Sequence, residues 1–443
     1  MQFSLEQIAS LAPDEASLKA AKGLVSPGKW PTLGADDGAL WGECQGSGSK
    51  PYQVQMDFSG PAFRCSCPSR KFPCKHGLAL VLLHTQHTAS FTASRPPEWV
   101  EEWLASRKQK AENREQKQAR PTPPPDPQTT AKREGKRREA MATGAEELQR
   151  WMTDQVRQGL GNVRGNGVDW RALAGRMVDA KAPGLARRVQ ALESLAASPE
   201  AWAVQVLGAM GQTQCLLEGW SRFDALNPAL QADLRTAMGW PLEKEDVLRE
   251  GEQLQGLWAV LGIAYEESDK LWERRVWLLE PVSGRRALLL DFAHGNRVFE
   301  QLFFVGAVYP MTLAFYPSHH PRRAVAVEVQ APLPEACALP ATSLAQELDG
   351  IADALAANAW VSLWPLFLNH VHLACESGAW WALTDQQKTL PLRLAQEEAW
   401  VLMALGGGRP LQLFGEWDGA RYTPLTAWDD AGSKPLWILG GTV

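Results

Sequence analysis

Three of the seven cysteines in this chain lie within ten residues of one another, and a histidine stands two positions after the last. Cys65, Cys67, Cys74 and His76 are spaced C-x-C-x6-C-x-H. In a strand, alternate side chains share a face, so Cys65 and Cys67 aim both sulfurs at one point. Cys74 and His76 precede the apolar run Leu78–Leu83, which reads as a short buried helix. At its start, the free N–H groups and the positive end of the dipole favour a thiolate. Three sulfurs and one imidazole make a closed tetrahedral set, the structural class of zinc site, with one ion expected. Two other readings exist: ordinary buried cysteines, or a redox C-x-C pair, which would leave Cys74 and His76 unexplained.

The residues before the cluster carry strand signals. Tyr52, Val54, Met56 and Phe58 alternate with Gln53, Gln55 and Asp57, the period of a half-buried strand. Ala39–Cys44 is the expected partner, with Gly46-Ser47-Gly48-Ser49 as the turn.

The cluster with its flanking strand and helix resembles the SWIM zinc finger. The run Phe63-Arg64-Cys65-Ser66-Cys67-Pro68-Ser69-Arg70-Lys71-Phe72-Pro73-Cys74-Lys75-His76-Gly77-Leu78-Ala79-Leu80 is similar to bacterial SWIM-finger proteins in particular, and the match covers roughly residues 26 to 85. The family also occurs in Mutator-type transposases and chromatin-remodelling ATPases, and the resemblance implies contact with DNA or with protein. Around the finger, Arg64, Arg70, Lys71 and Lys75 form a candidate nucleic-acid patch, with Arg95 further on and no Asp or Glu between Phe58 and Pro97. The same cations would also neutralise an anionic site, because zinc with three thiolates carries a net negative charge.

At 443 residues the chain exceeds what one core holds, and its elements divide it as an α+β, multidomain protein. Residues 1–104 are expected to form a small, β-rich finger domain. From Arg107 to Arg138, eleven Lys/Arg stand against four Asp/Glu, a local +7 in a chain of net charge −5. With Pro121, Pro123, Pro124, Pro125 and Pro127, residues 105–141 read as a basic, flexible linker. Residues 142–252 read as a helical domain: Trp170, Leu173, Ala174, Met177 and Val178 share a helix face behind Asp169 as N-cap, and Ser198-Pro199 and Asn227-Pro228 mark further helix starts. Residues 253–443 are expected to form an α+β domain. Its predicted elements are a hairpin of Val276–Leu279 and Ala287–Leu290, strands in Ala324–Val329 and Leu411–Tyr422, and a helix over Ser343–Leu366.

Other candidate sites are weaker. His370-x-His372, near Cys375 and Glu376, would set ligands along one strand, but alternating histidines in a Trp-rich β region read as packing or surface residues. His319-His320 follows Pro317 in a loop, and Gly406-Gly407-Gly408 lacks the Lys-Ser/Thr of a phosphate-binding loop. No nucleophile elbow, H-E-x-x-H or G-x-G-x-x-G fingerprint occurs, so no catalytic residue is assigned. No apolar run reaches the roughly 18 residues of a membrane span, and the N-terminus lacks a signal-peptide pattern. The expectation is a cytoplasmic adaptor with a protein partner, no membrane and one structural zinc. Direct DNA binding by the finger is the alternative, and an unrecognised active site in the C-terminal half is a further one.

Overall fold

The alternation at Val54 and Met56 places these side chains inside a five-stranded sheet. The computed structural model describes residues 5–440 except 14, 47–49, 59–61, 70, 120–126, 166, 200, 241, 269, 296, 300, 334–341, 385–387, 430–431 and 433–434. Two short helices, α1 (Leu5–Ser10) and α2 (Glu15–Lys22), precede strands β1 (Thr32–Ala35), β2 (Ala39–Cys44), β3 (Tyr52–Asp57) and β4 (Ala62–Cys65). Helix α3 (Lys75–Gln86), β5 (Thr92–Ala93) and α4 (Glu98–Ala119) follow. The strand order is β4-β3-β2-β1-β5. Ala39–Cys44 pairs antiparallel with Tyr52–Asp57 as the patterning requires, while the Ser47–Ser49 part of the expected turn lies outside the described residues.

The basic stretch differs from its expected form. It is helical in α4 and again in α5 (Pro127–Gln158), and its proline run at 121–125 lies outside the described residues. Lys, Arg, Glu, Gln and Ala are strong helix formers, so a sequence unable to build a core still forms helix. The start of α4 belongs to the finger sheet. Val100 packs on Ala39 and Trp41, and Arg107 Nε donates to Asp57 at 2.7 Å.

The middle of the chain is a helical bundle of α5, α6 (Trp170–Asp179), α7 (Pro183–Ala196), α8 (Trp202–Ser221) and α9 (Pro228–Met238), and the short helix α10 (Lys244–Glu250) follows it. Asp169 caps α6 by accepting from the Ala172 N–H, and Asn227 caps α9 from Leu230. The bundle begins fifteen residues before the expected Ala142 boundary, at Pro127, and buries Met141, Ala145, Leu148 and Met152 of α5 against Leu173, Met177 and Val189. Helix α8 starts at Trp202, three residues past Pro199, because Ala201 takes a left-handed conformation (φ 48°) ahead of it.

The C-terminal half holds a closed barrel and a second sheet. Strands β6 (Gln253–Ser268), β7 (Leu271–Leu279), β8 (Arg286–His294), β9 (Val308–Phe315) and β10 (Arg323–Val329) close in the order β10-β8-β7-β6-β9, with β8 parallel to β10. This is the strand order of the five-stranded oligonucleotide/oligosaccharide-binding barrel. Helix α11 (Leu344–Ala357) opens with a capping box on Ser343 and ends nine residues short of Leu366, since β11 (Trp364–Glu376) begins there. After β12 (Ala379–Leu383), β13 (Thr389–Pro391) and α12 (Gln396–Gly406), the Leu411–Tyr422 region forms a hairpin of β14 (Leu411–Trp417) and β15 (Tyr422–Trp428), followed by β16 (Pro435–Ile438). Asp418 turns this hairpin by accepting from the Ala420 and Arg421 amides.

The finger is packed onto the barrel rather than tethered beside it. Ile8, Leu11, Leu18, Phe63 and the whole run Leu78–Leu83 share one apolar core with Trp258, Trp277, Phe304 and Ile438. Arg297 Nη2 donates to the Ala12 carbonyl at 2.8 Å while stacking on Tyr265 at 4.4 Å. The bundle is anchored through Asp233 of α9, which is 3% exposed. It accepts from Ser318 Oγ, the His319 amide and Asn358 Nδ2. Burial raises its pKa, and the hydrogen bonds from Ser318 and His319 oppose that rise.

Barrel and C-terminal sheet meet through two buried carboxylates. Glu416 accepts from Arg275 Nε and from Trp277 Nε1, each at 2.8 Å. Glu347 accepts from Arg286, Thr342 and the Phe367 amide. Removing one partner of such a pair strands the other charge, at a cost of about 3–5 kcal/mol. Glu347→Ala is therefore expected to lower the unfolding free energy of the C-terminal half by about 3 kcal/mol or more in urea titration. A loss under about 1 kcal/mol, the scale of an exposed pair, contradicts this account.

Candidate metal centre

Local chain geometry converges Cys65, Cys67, Cys74 and His76. Strand β4 is held by β3 in the register Val54↔Cys65 and Met56↔Phe63. Past Cys65 the chain is kept on the sheet edge by Ser66, whose N–H donates to the Gln53 carbonyl and whose Oγ accepts from the Gln53 amide at 2.9 Å. That clasp fixes the turn between the first two cysteines. Cys74 occupies the N-cap of α3, and His76 lies in the first turn. Gly77 lets this turn approach β4, because a Cβ there would stand 3.2 Å from Phe63 Cδ1. The Tyr52 ring packs on the His76 imidazole at 4.9 Å.

The donor atoms of the four residues all lie within 4.8 Å of one another. His76 presents Nδ1, which is 3.8 Å from Cys65 Sγ and 4.0 Å from Cys74 Sγ. A tetrahedral zinc with Zn–S of about 2.3 Å has ligand-to-ligand edges of about 3.8 Å, so the separations fit one ion with four protein ligands. The Cys65 thiol, hydrogen-bonded to Cys74, holds the Cys74 pKa down to about 4, assisted by His76 and by the Gly77 amide at the helix start. The same hydrogen bond drives the Cys65 pKa upward. The arrangement thus favours a thiolate at Cys74, and thiol protons leave as an ion binds.

Cys44 is a neighbour the spacing did not reveal. Fully buried at the end of β2, it is pushed up to about 11 by burial, with Lys75 pulling it down and Cys74 pushing it up. It stays a neutral thiol behind the site and is not among the clustered donors. Of the proposed patch, Arg64, Lys71 and Lys75 are exposed, and Arg70 lies outside the described residues. The histidine pair on β11 forms no comparable set. Among the described residues, no second cluster of three or more donors includes His370, His372, Cys375 or Glu376. His370 sits at a strand irregularity with φ 50°. His319 serves the Asp233 anchor through its amide, and Gly407 is the left-handed cap of α12.

The chain is expected to carry one zinc per molecule by elemental analysis, and Cys74→Ser to lose it. Structural zinc contributes about 10–16 kcal/mol in small fingers, comparable with the whole stability of a domain. Because Leu78–Leu83 also face the barrel, loss of the ion is expected to weaken the barrel, seen as faster amide exchange in β6 and β9. Zinc below half a mole per mole in the wild type contradicts the assignment.

No curated protein and no solved structure gives a significant match to the chain. Residues 52–84 match the family model of the SWIM zinc finger, and residues 136–238 match that of the SWIM-associated four-helix bundle domain. The chain thus carries a SWIM zinc finger, whose three cysteines and one histidine are able to bind one zinc ion, followed by the helical domain associated with such fingers.

Proposed function

We propose that this protein is a zinc-stabilised adaptor that works by binding rather than by catalysis, and that its finger makes protein contacts. The observation that carries this reading is the shared core. The apolar side of the finger, from Ile8 through Leu83, already packs a protein surface, namely the barrel. The cations on its other side have an electrostatic duty close at hand. Zinc with three thiolates is net anionic, and Lys75 acts on the cluster's neighbour Cys44. With four protein ligands in place, no coordination position is left for a water to become a nucleophile.

The barrel offers a second line of support. Barrels of this strand order take oligonucleotides across strands two and three, here β7 and β8. In this chain, Arg275 and Trp277 of β7 engage Glu416 of β14, and Arg286 of β8 engages Glu347 of α11, so the C-terminal sheet and α11 cover part of that face. No described helix is long and apolar enough to cross a membrane.

The test is a salt titration of duplex DNA binding with the exposed finger cations neutralised. Under the protein-contact reading, Arg64→Gln/Lys71→Gln/Lys75→Gln keeps its zinc and has the same log–log slope as wild type. Direct DNA binding by the finger instead predicts that the slope shrinks by about one unit per lost phosphate contact, nearly three units in all. A shrinkage of that size with zinc retained replaces the adaptor reading by the direct one.

A further inference from the structure

The positive charge that the sequence concentrates around residue 135 is seated on the bundle. Arg137 and Arg235 both stand over the Trp240 ring, at 5.3 and 5.0 Å from its centroid. Arg235 and Arg138 both stand over Phe223, at 5.4 and 5.0 Å. Trp220 packs against both rings. Arg138 has a carboxylate partner, Asp224, at 2.5 Å. Arg137 and Arg235 have no ion pair among the described residues. Among the described residues their Nε atoms are buried without a hydrogen-bond partner, and Arg137 Nη2 donates to the Lys181 carbonyl at 3.5 Å. Burial first, and then Arg133, lower the Arg137 pKa, while Glu243 opposes them.

Partly buried guanidiniums are normally paired. Two on one indole, with Arg133 exposed one turn back along α5 and Lys136 exposed next to Arg137, form a preset cationic corner with no ion pair to Arg137 or Arg235 among the described residues. We infer that this corner of the bundle, formed by Arg133, Lys136 and Arg137 of α5 with Arg235 of α9, binds the phosphate backbone of duplex nucleic acid. Guanidinium forks match phosphate geometry. The geometry favours a duplex over a single strand, because single strands are held by stacking bases on free aromatic faces. Trp240 and Phe223 each already carry two guanidiniums. The contact carries no base reading, so affinity is expected to be independent of sequence and to lie in the range of about 10⁻⁴–10⁻⁶ M at physiological salt.

This site is separate from the finger, and its test is independent of the adaptor reading. With four phosphate contacts, full-length zinc-loaded protein binding a 20-base-pair random duplex is expected to show a log–log salt slope near −3.6, from about −0.9 per contact. Arg133→Gln/Lys136→Gln, two exposed positions outside the ring cluster, reduces that magnitude by about two units without changing the melting temperature. Arg137→Gln/Arg235→Gln does the same, and circular dichroism checks that the bundle stays folded. The matching 20-mer single strand binds more weakly than the duplex. A wild-type slope in the Arg133→Gln/Lys136→Gln variant overturns the proposal, as does tighter binding of the single strand.

Discussion

Four donor atoms carried on a strand end and a helix start have to meet around one ion, and that closure decides where α3 begins and which way it points. Cys65 and Cys67 leave the end of β4, Cys74 caps α3, and His76 follows within its first turn. Once those ends are joined, the helix lies across β3 and β4, and every residue from His76 to Leu83 is buried. A helix that is apolar on all sides is stable only when enclosed. The sheet covers one side, while α1, α2 and the barrel cover the rest. Closure of the four-donor cluster thus positions a slab of apolar chain that joins two units of the molecule.

The other joints are made by single buried carboxylates. Asp233 joins the bundle to the β9–β10 loop and to Asn358, Glu416 joins the barrel to β14, and Glu347 joins it to α11. Each is under 7% exposed. Desolvating such a group costs several kcal/mol, offset only by multiple well-placed donors. These joints therefore add little net stability, but they penalise any other docking of the layers, which would leave the charge unpaired. Close approach does the rest: a Cβ on Gly262 would lie 2.9 Å from Leu425 Cβ, so β6 crosses the second sheet nearly in backbone contact.

Charge is distributed differently in the two matched regions. Beside the finger, cations surround a site that is itself anionic once metallated, so much of their field is spent locally. On the bundle, Arg137 and Arg235 are held against aromatic rings with no carboxylate pair among the described residues. Similar residue types thus have different surroundings, and composition alone does not separate the two settings.

Much of the metal centre was legible in the chain, because its ligands are close in sequence and their spacing fits the strand end and helix start that hold them. The β2–β3 pairing, the Asp169 and Asn227 caps, and the β7–β8 hairpin were legible for the same reason: each rests on local periodicity or on a side chain reaching its own backbone. What needed tertiary structure was whatever depends on contacts far apart in sequence. The helical state of the basic stretch was hidden because a charged, core-less segment and an exposed helix have the same composition. The closure of the barrel depends on β8 meeting β10, and the docking of the finger on the barrel brings Ala12 to Arg297. Cys44 behind the zinc site and Arg235 beside Arg137 were invisible for that reason, since their roles exist only once distant segments have been packed together.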